Sequence, residues 1–230
     1  VTVPSSSTVM SSTMRTPWPS RSAPHHWIAC QIEGSPKAYT WRDINNASAP
    51  PDWFPDSHPP APLPVAGGPP GTRACGLCHL VNGAGKPDAS RLNGLPIAYM
   101  KRQIEDFKND HRFNAEPRAP AVTMVPVAKL VSDADMQVAL DYFHSIGPLN
   151  WVKVVEVTRV RKTHPTQRKL LAYDEPEAFE PIGNRVVEIG ADPERAEMRD
   201  STTPYVAFVP KGALARGKRL VETGGGRTQA

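Results

Sequence analysis

Residues 75–79 read Cys-Gly-Leu-Cys-His. Two cysteines three apart, with a histidine directly after the second, form the attachment pattern for c-type haem. The two thiols can add across the two vinyl groups on one porphyrin edge. The next residue can then turn an imidazole nitrogen onto the iron from one face. A chain carrying this motif has to fold around a group to which it is bonded. Cys75 and Cys78 are the candidate thioether residues, and His79 is the candidate proximal iron ligand. A structural zinc site would need two further Cys or His ligands at suitable spacing. The remaining cysteine, Cys30, lies upstream in a polar, proline-rich stretch and reads as a leftover thiol. A thioredoxin-like pair belongs between a strand and a helix of a βαβ unit, and no buried-strand pattern precedes Cys75.

The rest of the composition bounds what surrounds the motif. Of 230 residues, 26 are proline, which predicts long irregular segments rather than a single large core. No run approaches the roughly 18 apolar residues of a membrane span. The net charge of +4 is mild, and the carboxylates of a haem would offset part of it, so charge does not argue for nucleic acid. Thioether attachment needs reduced thiols delivered in an oxidising compartment, which predicts a periplasmic protein. No export signal is visible: residues 1–26 lack an apolar stretch.

Periodicity divides the chain. Residues 1–26 read as a disordered leader. Residues 27–70 hold scattered aromatics among Pro, Asp and Ser and read equally as an irregular wrap anchored by those aromatics or as a continuation of the disordered leader, with one short helix at 40–44. Residues 71–148 form the compact helical part. Ile97, Met100, Ile104 and Phe107 mark one face of a helix that opens at Pro96. Ser132 is a good N-cap for a second helix, with Asp133 and Asp135 in its first turn and Met136, Leu140 and Phe143 on one face. Between them, residues 108–131 read as a proline-punctuated loop.

From Trp151 the pattern changes to alternating valines. Strands are predicted around 152–160, 169–173, 185–189 and 205–209, as a small antiparallel β unit over 149–211. Residues 212–222 read as helical again.

Candidates for a sixth iron ligand are Met100, His111, Met124, Met136 and His144. Met100 and Met136 fall on apolar helix faces, where packing accounts for them. His111 and His144 have polar surroundings. Met124 lies in the proline-rich stretch 120–126, which as a stiffened loop can close over the open haem face at reduced entropic cost. It is the preferred candidate, with Met136 second.

Residues 71–147 resemble a class I cytochrome c domain of the kind found in tandem in bacterial dihaem cytochromes. The matching stretches are 75–79, Leu92-Asn93-Gly94-Leu95-Pro96 through Phe107, Met124-Val125-Pro126-Val127-Ala128, and Ser132-Asp133-Ala134-Asp135 leading to Tyr142-Phe143. The resemblance implies a mainly α haem domain followed by the β unit, holding one haem c. It implies thioethers at Cys75 and Cys78, His79 as proximal ligand and Met124 as distal ligand. Tyr142 and Phe143 would lie on a helix near the haem edge. Two departures stand out. The stretch Val65 to Gly71 cannot make the usual N-terminal helix, so either residues 39–48 supply a substitute or the domain is loosened there. Residues 212–230 resemble the start of a truncated second cytochrome c domain.

The function implied is electron transfer to and from redox partner proteins, with no enzymatic activity. Arg73, Lys86, Lys101 and Arg102 offer a basic rim for an acidic partner or a generally solvated surface. The alternatives are a non-catalytic haem subunit of a periplasmic dehydrogenase, and a haem enzyme or sensor with an open axial site.

Overall fold

The computed structural model describes residues 29–68, 72–112, 121–166, 168 and 170–226. The leader at 1–26 and the loop prolines Pro117 and Pro120 lie outside them.

The N-terminal segment is a folded layer held by aromatic anchors. Strands β1 (Ala29–Gln31) and β2 (Ala38–Thr40) pair antiparallel, with Cys30 opposite Tyr39. Helix α1 (Trp41–Ile44) starts where Thr40 accepts from the Asp43 amide while Asp43 accepts from the Thr40 amide. This reciprocal cap satisfies two of the amides a helix start leaves open. Ile32, Ile44 and Trp53 form a small core, joined by Cys30, Tyr39, Trp41, Phe54 and Met198. The Trp53 indole N–H donates to the Met198 carbonyl at 2.8 Å, so this layer is tied to the far end of the chain.

The helical part follows. Helices α2 (Leu63–Ala66) and α3 (Cys75–His79) are short. Helices α4 (Ile97–Lys108), α5 (Ala121–Leu130) and α6 (Asp133–Ser145) carry most of the packing. The predicted apolar faces are the buried ones: Met100 and Phe107 on α4, and Met136, Leu140 and Phe143 on α6. Ser132 caps α6 through the Asp135 amide. Val65 of α2 is fully buried among Met100, Met136, Leu140 and Phe143. The helix that reaches this core from the N-terminal side is therefore α2, not the stretch 39–48. One turn was possible because the glycines begin only at Gly67, which caps it.

Residues 121–130 depart from expectation. They form α5 rather than a loop, with Pro126 inside the helix. A proline in mid-helix costs a hydrogen bond to the carbonyl one turn back. Helix α5 nevertheless packs on α4, with Ala128 fully buried.

The C-terminal half carries strands β3 (Val152–Val157), β4 (Arg159–Arg161), β5 (Thr163–Pro165), β6 (Leu171–Tyr173), β7 (Phe179–Pro181), β8 (Val187–Gly190) and β9 (Tyr205–Pro210), with helix α7 (Pro193–Glu197) before β9. The expected antiparallel arrangement fails at the longest pair. β3 runs parallel to β9, in register Val152 to Tyr205, while β8 pairs antiparallel on the other side of β9. Parallel strands need a long crossover, and residues 158–204 supply it. Central β9 alternates buried Tyr205, Ala207 and Val209 with half-buried neighbours.

The boundary at 148–150 is not a break in packing. Leu80 and Ala84, just after the motif, share one core with Trp151, Leu170, Ala196 and Tyr205. The Trp151 indole donates to the Gly85 carbonyl at 3.0 Å, and the Asn82 amide donates to the Ser201 carbonyl at 2.6 Å. Helix α8 (Ala213–Thr223) differs from all of these. It buries no residue and exposes Leu214, Leu220 and Val221.

Candidate haem site

Cys75, Cys78 and His79 occupy a single short helix, α3, on the wall of a cavity of about 1320 Å³. That exceeds the roughly 300–1,000 Å³ of ordinary ligand pockets. Leu77, Leu92, Leu95, Ile104, Phe107, Leu140 and Phe143 also line it. A large planar apolar group with polar edges suits such a lining.

The motif is held in place from both sides. Gly76 packs so closely on α2 that an added Cβ would lie 2.7 Å from the Val65 carbonyl oxygen. Gly83, with φ +69°, turns the following loop so that its carbonyl accepts from the amides of Leu92 and Asn93. Its missing side chain leaves room for the Phe143 ring, which a Cβ would meet at 2.6 Å.

His79 is oriented for coordination. Its Nδ1 lies 2.7 Å from the Ser90 carbonyl oxygen. A carbonyl can only accept, so the proton sits on Nδ1 and Nε2 keeps the lone pair a metal needs. Burial pushes the imidazole pKa below its ordinary value, which keeps the ring neutral. Burial also pushes the Cys75 thiol up to about 11, so it is present as S–H. Among the described residues no three His, Cys, Asp or Glu side chains gather around a metal-sized point. The donor set of two thiols and one neutral imidazole beside a large apolar cavity fits a covalently held haem.

Of the sixth-ligand candidates, Met100, Met124 and Met136 line this cavity. Met124 projects from α5 and is half-buried, while Met100 and Met136 are buried in the helical core. His111 and His144 are exposed: His111 lies near Asp106, and His144 Nδ1 meets the Leu95 carbonyl. Of the four basic residues read as a rim, Arg73 and Lys86 line the cavity. Lys86 is buried and paired with Asp88 at 2.8 Å. Lys101 and Arg102 are exposed on α4. Tyr142 and Phe143 are both buried on α6, and Phe143 faces the cavity.

The cavity also has a wall that motif reading missed. Trp151, Arg168, Glu188 and Arg199 come from the C-terminal half. No spacing in the sequence connects them to residues 75–79. The one available signal was Trp151, an aromatic at the point where periodicity changes.

No family model matches the chain, and no curated protein matches it. Among solved structures, a similarity is found to reduced recombinant cytochrome c4 from Pseudomonas stutzeri. It has 29% identity and a TM-score of 0.29, and covers 33% of this chain and 40% of that one. The chain thus spans well under half the length of that protein. Among the described residues, no helix is long and apolar enough to cross a membrane.

Proposed function

We propose that this chain is a c-type cytochrome that carries electrons through one covalently bound haem. The observation that carries the reading is the placement of Cys75, Cys78 and His79 together on a large apolar cavity, with His79 Nδ1 already engaged by Ser90. In this reading Cys75 and Cys78 hold the group by thioethers, His79 ligates from one face and Met124 from the other. The helical part at 71–148 is then a cytochrome c domain. Haem supplies reversible one-electron chemistry at iron, and axial ligands, hydrogen bonds and burial tune it.

The chain's own residues do the remaining work. Ser90 fixes the imidazole tautomer and ring plane. Leu92, Leu95, Phe107, Leu140 and Phe143 exclude water, which lowers the reorganisation that accompanies a change of charge. Two protein ligands leave no open position for substrate, so the reading is a carrier rather than an enzyme. Donor and acceptor are redox proteins of the periplasm. A haem subunit within a larger dehydrogenase is the second reading, favoured by the exposed Leu214, Leu220 and Val221 on α8.

Protein matured with haem should keep its colour on the polypeptide through acid–acetone extraction. Replacing both Cys75 and Cys78 by Ala should release it. If colour leaves the unaltered protein freely, the c-type reading is wrong.

A further inference from the structure

The cations on the C-terminal wall of the cavity are not equivalent. Arg168 is compensated. Its guanidinium pairs with Glu197 at 2.8 Å, donates to the Asn45 side chain and stacks 4.6 Å over the Trp41 ring. Arg199 has only neutral partners. Its Nε donates to the Ile44 carbonyl at 3.1 Å, and its Nη1 donates to the Leu77 carbonyl at 2.5 Å. Among the described residues no carboxylate forms a salt bridge with it, and Asp88 and Glu197 act on it only at longer range.

A desolvated charge without a counter-ion in direct contact is costly. Burial accordingly lowers the affinity of the Arg199 guanidinium for its proton. The chain also sets this residue deliberately. Arg199 has φ +59°, a left-handed conformation that costs a non-glycine residue energy. The neighbouring turn holds it there. Buried Asp200 accepts from Arg195 at 2.6 Å, from the Thr202 amide at 2.8 Å and from the Thr203 hydroxyl at 2.9 Å. On the other side, Met198 is pinned by Trp53. The result is a fixed cation on the cavity wall, touching the backbone of the attachment helix.

We propose that Arg199 is the counter-ion for a carboxylate of the bound haem, so that the C-terminal half completes the cofactor site. This rests on the haem reading above. The remaining guanidinium N–H groups would pair with an anion in the cavity, and guanidinium suits a carboxylate in geometry as well as charge. A retained positive charge near the iron favours the ferrous form over the ferric form. Arg199 is thus a positioning residue that raises the reduction potential and ties Leu77, inside the motif, to the chain beyond α7.

The test compares haem-loaded wild type, Arg199→Lys and Arg199→Gln by acid–acetone extraction and by redox titration. All three should retain covalent haem, because attachment depends on Cys75 and Cys78. Arg199→Gln should shift to a more negative potential, and Arg199→Lys should stay near wild type. The proposal is overturned if Arg199→Gln leaves the potential unchanged. It is equally overturned if Arg199→Lys shifts as far as Arg199→Gln, since Arg199 would then act only through its backbone contacts. Should Arg199→Gln not accumulate as folded protein, Arg199→His supplies the contrast. Its potential should step down as the imidazole loses its charge, while Arg199→Lys remains flat, and absence of the step overturns the proposal. Loss of haem from wild type in acid–acetone would instead refute the underlying haem reading, so the two failures are distinguishable.

Discussion

His58 and Tyr142 meet at 3.0 Å, imidazole Nδ1 to phenol oxygen, and join the N-terminal layer to helix α6. The Tyr142 hydroxyl donates onward to the Val81 carbonyl at 2.9 Å, two residues past His79. His58 Nδ1 also faces the Pro59 carbonyl at 2.9 Å, and its Nε2 faces the Asp52 carboxylate at 3.2 Å. Pro59 and Asp52 offer acceptors only, so the imidazolium alone has a proton for each.

This geometry sets a pH dependence. The hydrogen bond to Asp52 is the main reason the His58 pKa is raised, with the Pro59 carbonyl and the Asp52 charge acting the same way and burial opposing. A raised folded-state pKa stabilises the fold fully below the unfolded value of about 6.5 and loses that contribution as pH rises through the folded value. His58→Phe should therefore destabilise more at about pH 5.5 than at about pH 8.5. Denaturant unfolding of both proteins across that range measures it, and an equal difference at both ends would refute the charged-His58 account. Tyr142→Phe removes the link to Val81 and should cost about 1–2 kcal/mol.

Trp53 is fully buried and carries the bond to Met198. Trp53→Ala should cost about 3–5 kcal/mol, in the range for large aromatic truncations. The loss should fall on both ends of the chain at once. Hydrogen exchange should speed up in 29–66 and around Met198 together. Faster exchange in 29–66 alone would mean that the layer is independent of the C-terminal half.

Gly83→Ala places a methyl where the Phe143 ring lies and imposes a positive φ on alanine. The expected destabilisation is about 1–3 kcal/mol, read by thermal unfolding. Phe143→Leu in the same background should recover part of it by making room. No recovery would locate the strain in the backbone instead.

The proposed role of Met124 as distal ligand is tested spectroscopically. Met124→Ala should keep haem attached, abolish the weak far-red ferric band of methionine ligation and lower the potential. If the band survives there and vanishes in Met136→Ala, the buried methionine of α6 is the ligand.

Limited proteolysis should cut first within 211–226, because α8 buries no residue. Cleavage at 148–150 should be slow, because Trp151 packs against Leu80 and bonds to Gly85. Early cleavage at 148–150 would show that the two halves separate easily.

What the sequence by itself determined is what acts over one or two turns of chain. Cys75, Cys78 and His79 carry their chemistry in their spacing. The faces of α4 and α6 follow from period, and the start of α6 from Ser132 and Asp135, since caps and amphipathic stripes involve residues three or four apart. Where local signals conflicted, reading failed. Pro126 marked 121–130 as a loop, yet packing against α4 outweighed its cost. Only the tertiary structure decided the parallel pairing of β3 with β9, the insertion of Val65 into the helical core and the approach of Arg199 to Leu77. Each joins residues that are far apart along the chain, and no local propensity encodes which distant partner will desolvate a side chain. The Cys75–His79 motif is therefore legible as letters, whereas the charge facing its cavity exists only once the C-terminal half has folded against it.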